Sequence, residues 1–143
     1  MIFLVEDEEK LRRMVSDFLA ANGYEVAMAE DGHQALLRLP HVNPSIILLD
    51  INLPGISGIE VCRRARGFVG EDVPIVFLSA FDDAEHVKAA LEAGGNDYVL
   101  KTTPLDALLG RIQYWISPIA KQGRPEWRGN VLDNKSALVS RRK

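Results

Sequence analysis

The sequence predicts an open α/β fold in which a βα unit repeats five times and helices cover both faces of a doubly wound, parallel five-stranded sheet. Three observations predict it. Five short apolar runs recur, too short for helices and mostly rich in Val, Ile or Leu. The segments between them carry the 3.6-residue period of helices. The units follow one another at roughly 20 to 28 residues, and nearly unbroken apolar strand interiors belong to parallel strands buried on both faces.

The predicted strands are Ile2 to Val5, Glu25 to Met28, Ile46 to Leu49, Ile75 to Leu78 and Tyr98 to Leu100. In the first helix Leu11, Met14, Val15, Phe18 and Leu19 form an apolar stripe, while Lys10, Arg12, Arg13 and Asp17 take the other side. Asn22-Gly23 ends it. Asp31-Gly32-His33-Gln34 opens the second helix as a capping box before Ala35, Leu36 and Leu39, and Pro40 closes it. The third is expected from Gly58 to Arg66, the fourth from Ala84 to Ala93 with Gly94-Gly95 as its stop, and the fifth from Pro104 to Ile116 with Pro118 as its end.

At 143 residues with 47% apolar and 26% charged side chains, the chain fits one globular domain, residues 1–117, with a short remainder, 118–143. No apolar run approaches a membrane span and no basic leader opens the sequence, so no membrane partner and a cytoplasmic location are expected. Cys62 has no disulfide partner, and His33, His41 and His86 show no zinc-ligand spacing. Residues 1–117 hold 10 Lys/Arg against 18 Asp/Glu, and residues 118–143 hold 7 against 2. So acidic a body argues against a nucleic-acid face, because cationic side chains supply most affinity for phosphates.

In a doubly wound sheet the site lies beyond the carboxyl ends of the strands. Glu6-Asp7-Glu8-Glu9 follow the first strand, Asp50 the third, Ser79-Ala80 the fourth and Lys101 the fifth. The dipole of the first helix accounts for Glu8 and Glu9. Carboxylates converging on one rim repel unless a hard cation sits among them, and oxygen-only ligands suit Mg²⁺ or Mn²⁺. A carboxylate flanked by such a cation, a lysine and a hydroxyl is equipped to accept a phosphoryl group, and Asp50 is the central candidate. The turn-rich loop from Ile51 to Gly58 can supply the carbonyl of Asn52 to the metal.

In this order and at these intervals, Glu6-Asp7-Glu8, the run from Asp50 to Glu60, Ser79-Ala80 and the run from Ala93 to Lys101 resemble the receiver domain of two-component response regulators. The resemblance covers residues 2 to 117. It implies a flavodoxin-like strand order, 2-1-3-4-5, with Asp50 as phosphoacceptor, Asp7 as a direct Mg²⁺ ligand, Glu6 as a ligand through water and Asn52 as a ligand through its carbonyl. Ser79 and Lys101 would bind phosphoryl oxygens, and Tyr98 would be the switch whose ring turns inward as Ser79 moves. The implied donor is a sensor histidine kinase or a phosphotransfer protein, read by the first helix and the loop after the fifth strand. The implied output surface is the fourth helix, fifth strand and fifth helix. Such a domain is a phosphoacceptor with slow self-phosphorylation and self-dephosphorylation, not an enzyme.

The sequence departs from the family at several places. Thr102-Thr103 stand where the family usually has Pro in a cis bond directly after the lysine. A non-proline cis bond costs about 3 to 4 kcal/mol, so the bond either stays cis or becomes trans and places Lys101 differently. Winged-helix family members form homodimers through ion pairs across the output face. Here Asp97 and Arg111 match those positions while Val87 and Ala107 do not, so weaker dimerisation is expected. Phe81 lies where the family varies self-dephosphorylation, and its bulk is expected to slow water attack. A Phe81→Ala variant should then lose phosphate faster than the parent in a dephosphorylation time course. Trp115 is expected to pack, or to be exposed on the output face.

The stretch from Arg124 to Lys143 resembles the first two strands of a winged-helix effector whose DNA-reading helix is missing. It reads either as a truncated remnant, with DNA contacted only through the missing part, or as a basic tail. Two other functions are weighed against the receiver reading. An FMN-binding domain needs a first loop that cradles phosphate, which Glu6 to Glu9 would repel, and a hydrolase needs a proton-shuttling acid where Asn52 stands. A degenerate receiver, acting as an interaction module without phosphorylation, is the remaining alternative.

Overall fold

A computed structural model describes residues 1–117, so the readings of Pro118 and of residues 118–143 lie outside the described residues. Five parallel strands, β1 (Ile2–Val5), β2 (Val26–Ala29), β3 (Ile46–Asp50), β4 (Ile75–Ser79) and β5 (Asp97–Leu100), pair in the order 2-1-3-4-5. Between and after them run α1 (Glu9–Ala21), α2 (Gly32–Arg38), α3 (Gly58–Val69), α4 (Ala84–Glu92) and α5 (Leu105–Ile116). The predicted fold class and strand order are thus observed.

Alternation along each strand builds two cores. Phe3, Val5, Ile47, Leu49, Ile75, Phe77 and Tyr98 face α2, α3 and α4, which contribute Ala35, Val61, Cys62, Ala65, Val87 and Ala90. Ile2, Leu4, Ile46, Leu48, Val76, Leu78 and Val99 face α1 and α5, which contribute Val15, Leu19, Leu108, Ile112 and Trp115. Each buried Leu, Ile or Val contributes roughly 1.5–3 kcal/mol relative to an exposed one. The central strands therefore hold their ends rigidly, and those ends carry the polar residues.

Local chemistry sets most boundaries. The Asp31 side chain accepts from the Gln34 amide at 2.7 Å, and Gln34 reaches back to the Glu30 amide, also at 2.7 Å. Ser57 and Asp83 cap α3 and α4 in the same way. Three expectations need correction. Met14 is 51% exposed, because the stripe that packs is Leu11, Val15, Phe18 and Leu19. Pro40 does not itself end α2: the helix stops at Arg38 and Pro40 sits in a single 3₁₀ turn, Leu39–His41. The third helix extends past Arg66 to Val69, where Gly70 takes a positive φ of 72°.

Candidate functional site

Register does the assembling. Val5 pairs with Leu49, Asp50 with Leu78, and Ser79 with Leu100. One residue further, Glu6, Asp50, Ser79 and Lys101 emerge on neighbouring strands at the same rim. Lys101 is fixed there by its amide, which donates to the Ser79 carbonyl at 2.8 Å. Its ammonium nitrogen lies 2.9 Å from Asp50 Oδ2 and 3.2 Å from Glu6 Oε1.

Glu6 and Asp50 are buried and Asp7 is exposed, and each can offer one oxygen within 4.8 Å of the others'. Glu6 Oε1 is buried and accepts no hydrogen bond; the ammonium of Lys101 is its counter-charge. A buried anionic oxygen without a donor, in an all-oxygen set, fits a hard divalent cation such as Mg²⁺. Burial pushes the Asp50 carboxyl above its ordinary range, against the Asn52 amide at 3.0 Å and the Lys101 ammonium, which pull it down. Burial and, more weakly, the Asp50 charge push Glu6 up to about 7, although the Glu8 amide and Lys101 oppose them.

The loop after β3 is held tightly. The Gly58 amide donates to the Ile51 carbonyl at 2.8 Å, and a Cβ at Gly58 would lie 2.1 Å from the Asp50 carbonyl oxygen. Only glycine lets α3 begin against the backbone of Asp50. Asn52 is exposed on this loop, beside the carboxylates. On β4, the Ser79 hydroxyl accepts from the Phe81 amide at 3.0 Å. Tyr98 is fully buried, and its hydroxyl donates to the Phe81 carbonyl at 2.7 Å. Its ring therefore stands inward, under the loop between β4 and α4.

The profile of the response regulator receiver domain matches residues 2–113. This chain belongs to that family. Response regulator MprA of Mycobacterium tuberculosis is 38% identical over 112 residues, which are 78% of this chain and 48% of that protein. The chain thus spans about half the length of the curated relatives it matches. Among solved structures, TrrA of Thermotoga maritima in complex with Mg²⁺-BeF aligns with a TM-score of 0.70 and 32% identity, covering 80% of this chain and 96% of that one. DrrB of the same organism, an OmpR/PhoB homologue, aligns with a TM-score of 0.72 and 29% identity over 80% of this chain and 51% of its own.

Within this receiver domain the structure resolves the open points of the sequence. Among the described residues no peptide bond is cis. The bond after Lys101 is therefore trans, and the lysine still reaches Asp50. Asp97 and Arg111, which match the family's dimer positions, meet each other within the single chain. Arg111 Nε donates to Asp97 Oδ2 at 2.8 Å within the chain, Trp115 Nε1 donates to the same oxygen at 2.8 Å, and Asp97 Oδ1 accepts the Tyr98 amide. With Asp97 only 2% and Arg111 5% exposed, both charges are spent internally. Trp115 is buried for the same reason and is not on an open output surface. The Phe81 ring stacks on His86 with centroids 4.6 Å apart, so its bulk is pinned to α4. Sequence reasoning missed Arg12, whose guanidinium bonds the Glu6 carbonyl at 2.8 Å; on sequence it is one more cation on a polar face. Among the described residues no helix is long and apolar enough to cross a membrane.

The raised Glu6 value makes stability depend on pH and metal together. An acid that titrates at 4.5 unfolded and about 7 folded binds more protons when folded. Its contribution, on the order of 3 kcal/mol, is present below pH 4.5 and lost as pH rises through about 7. Metal-free protein is therefore expected to melt at lower temperature at pH 8 than at pH 5.5. Mg²⁺, which competes with those protons, should raise the melting temperature more at pH 8. Thermal unfolding at the two pH values, with Mg²⁺ and with EDTA, checks this; a Mg²⁺ effect as large at pH 5.5 contradicts it.

Proposed function

We propose that this receiver domain accepts a phosphoryl group on Asp50 from a sensor histidine kinase or a phosphotransfer protein. The observation that carries the reading is the approach of Lys101 to Asp50, 2.9 Å, at a rim that also holds Glu6 and Asp7. Asp7, Asp50 and the Asn52 carbonyl would hold Mg²⁺ (or Mn²⁺) directly and Glu6 through water. When bound, the ion offsets charge on the equatorial phosphoryl oxygens.

An Asp50 carboxylate oxygen attacks phosphorus in line with the leaving group. A P–O bond forms as the donor's P–N bond breaks, and the bond pair leaves with the imidazole nitrogen. Lys101 and the Ser79 hydroxyl then bond phosphoryl oxygens. The Tyr98 ring already stands inward, so drawing Ser79 toward the phosphate would hold it there, together with the arrangement of the α4–β5–α5 face that goes with it. Asn52, where a hydrolase would need an acid, cannot shuttle a proton, so slow self-phosphorylation and self-dephosphorylation are expected rather than turnover.

Donor docking has a candidate surface beside Lys101. Leu11, Met14 and Val15 of α1, with Pro104, Leu105 and Leu108 at α5, line a cleft of about 220 Å³ next to Lys101. Residues 118–143 would lead to a further domain in a longer protein, and any DNA contact would lie there. The reading in which this is only an interaction module is weakened by the trans Lys101, which reaches its partners without a following proline.

Intact-mass measurement after incubation with acetyl phosphate and Mg²⁺ tests the reading. One added phosphoryl group is expected with Mg²⁺ and none with EDTA. No gain in protein shown separately to bind Mg²⁺ would favour the interaction module.

A further inference from the structure

Arg12 lies one turn into α1, yet its guanidinium points back past the start of the helix. Nη1 donates to the Glu6 carbonyl at 2.8 Å and to the Asp7 carbonyl at 3.3 Å. Both carbonyls belong to the short link between the last residue of β1 and the first turn of α1. The same link is fixed from two other directions: the Glu6 amide donates to the Ala29 carbonyl at 3.1 Å, and the Glu8 amide to Glu6 Oε2 at 3.0 Å.

The two Arg12 bonds take backbone oxygens only, and one carboxylate oxygen each of Glu6, Asp7 and Asp50 lie within 4.8 Å of one another. A planar guanidinium suits this, because the two hydrogens of Nη1 lie fixed in its plane and reach two neighbouring acceptors from one nitrogen. Two like-charged side chains on a short link would otherwise spread apart. A site whose ligands are set beforehand spares a cation the cost of ordering them. Glu6 Oε1 is buried and accepts no hydrogen bond, with the Lys101 ammonium 3.2 Å away as its counter-charge.

Resting on the phosphoacceptor reading above, we infer that Arg12 is a positioning residue for the cation site, holding the Glu6–Asp7 backbone so that two of its carboxylates stand in place before the ion arrives. The sign of one measurement separates this from simple electrostatics. Removing a positive charge beside a divalent-cation site tightens binding if Coulomb repulsion is all that changes. Losing the positioning bonds weakens it.

The test is Mg²⁺ titration by calorimetry on the parent, Arg12→Met and Arg12→Lys, with acetyl phosphate labelling rates measured across Mg²⁺ concentrations. In Arg12→Met the Mg²⁺ Kd should rise roughly tenfold, the low end of what loss of a ligand-orienting partner costs a metal site. Its labelling rate at saturating Mg²⁺ should return to within about twofold of the parent, because Asp50 and Lys101 are untouched. Arg12→Lys keeps the charge but not the reach and fixed plane of the guanidinium, so its Kd should fall between the two, and it carries the test should Arg12→Met fail to fold. Unchanged or tighter Mg²⁺ binding by the variants overturns the assignment. A parent that binds no Mg²⁺ overturns the reading beneath it and this assignment with it.

Discussion

Asp50→Asn is expected to take up no phosphoryl group from acetyl phosphate while unfolding at a higher temperature than the parent in EDTA. The two effects share one cause. Asp50 is 1% exposed, and burial already pushes its carboxyl above the ordinary range despite the Asn52 amide and Lys101. A group whose folded pKa is raised favours folding below its unfolded value and withdraws that support as pH rises through the folded one. At pH 8 the ionised Asp50 is therefore a cost to the fold, and an amide of nearly the same shape removes it. The amide oxygen still accepts from Asn52, while the NH2 group that replaces Oδ2 cannot accept from Lys101, which turns to Glu6 as its partner. The amide is no nucleophile, so labelling should fall to assay background. Intact mass and thermal melts read the two halves separately. A labelled Asp50→Asn protein would move the acceptor elsewhere, and a lower melting temperature would mean that the Lys101 pair outweighs the burial cost.

Much of the site was legible because a parallel sheet turns sequence position into spatial position. Glu6, Asp50, Ser79 and Lys101 each follow an apolar run, and the ladder brings the ends of those runs together. What spacing does not encode is side-chain direction. Asp97 and Arg111 are 14 residues apart, and nothing in that interval says whether they meet each other or a partner. Within one chain the packing of α5 on β5 brings them together, with the Trp115 indole as a third member. After Lys101 the family resemblance and the chemistry of Thr102 pulled in opposite directions, and the non-proline preference for trans won. The boundary of β2 shifted by one residue for a plainer reason: it is a half-buried edge strand, and Glu25 contributes only its carbonyl to the Ile2 amide.

Lys101→Met should be the most damaging single change to both stability and chemistry. Burial is the largest single influence and works against the ammonium, but the bonds and charges of Asp50 and Glu6 together outweigh it and raise the Lys101 pKa above its usual 10.5, so the group is charged throughout the range from pH 5 to 8. Its side chain is 23% exposed, whereas those of Glu6 and Asp50 are 1% exposed. Methionine keeps the apolar stem and leaves two buried carboxylates facing each other with no counter-charge. Removing one partner of a buried pair costs about 3–5 kcal/mol. That loss should appear in full in EDTA at pH 8. It should shrink at pH 5.5, where Glu6, titrating near 7, is protonated. Mg²⁺ should restore part of it by supplying the missing charge. Mg²⁺ should not restore the rate of phosphoryl uptake, because an ion among the carboxylates does not replace the donor that Lys101 offers to a phosphoryl oxygen. A fall of about 10²-fold at saturating Mg²⁺ is expected, the scale for losing one such donor. Melting temperatures at the two pH values, with and without Mg²⁺, and labelling rates under the same conditions decide it. Parent-like melting in EDTA at pH 8 would show that the ion pair contributes nothing to the fold. Parent-like labelling would remove Lys101 from the chemistry.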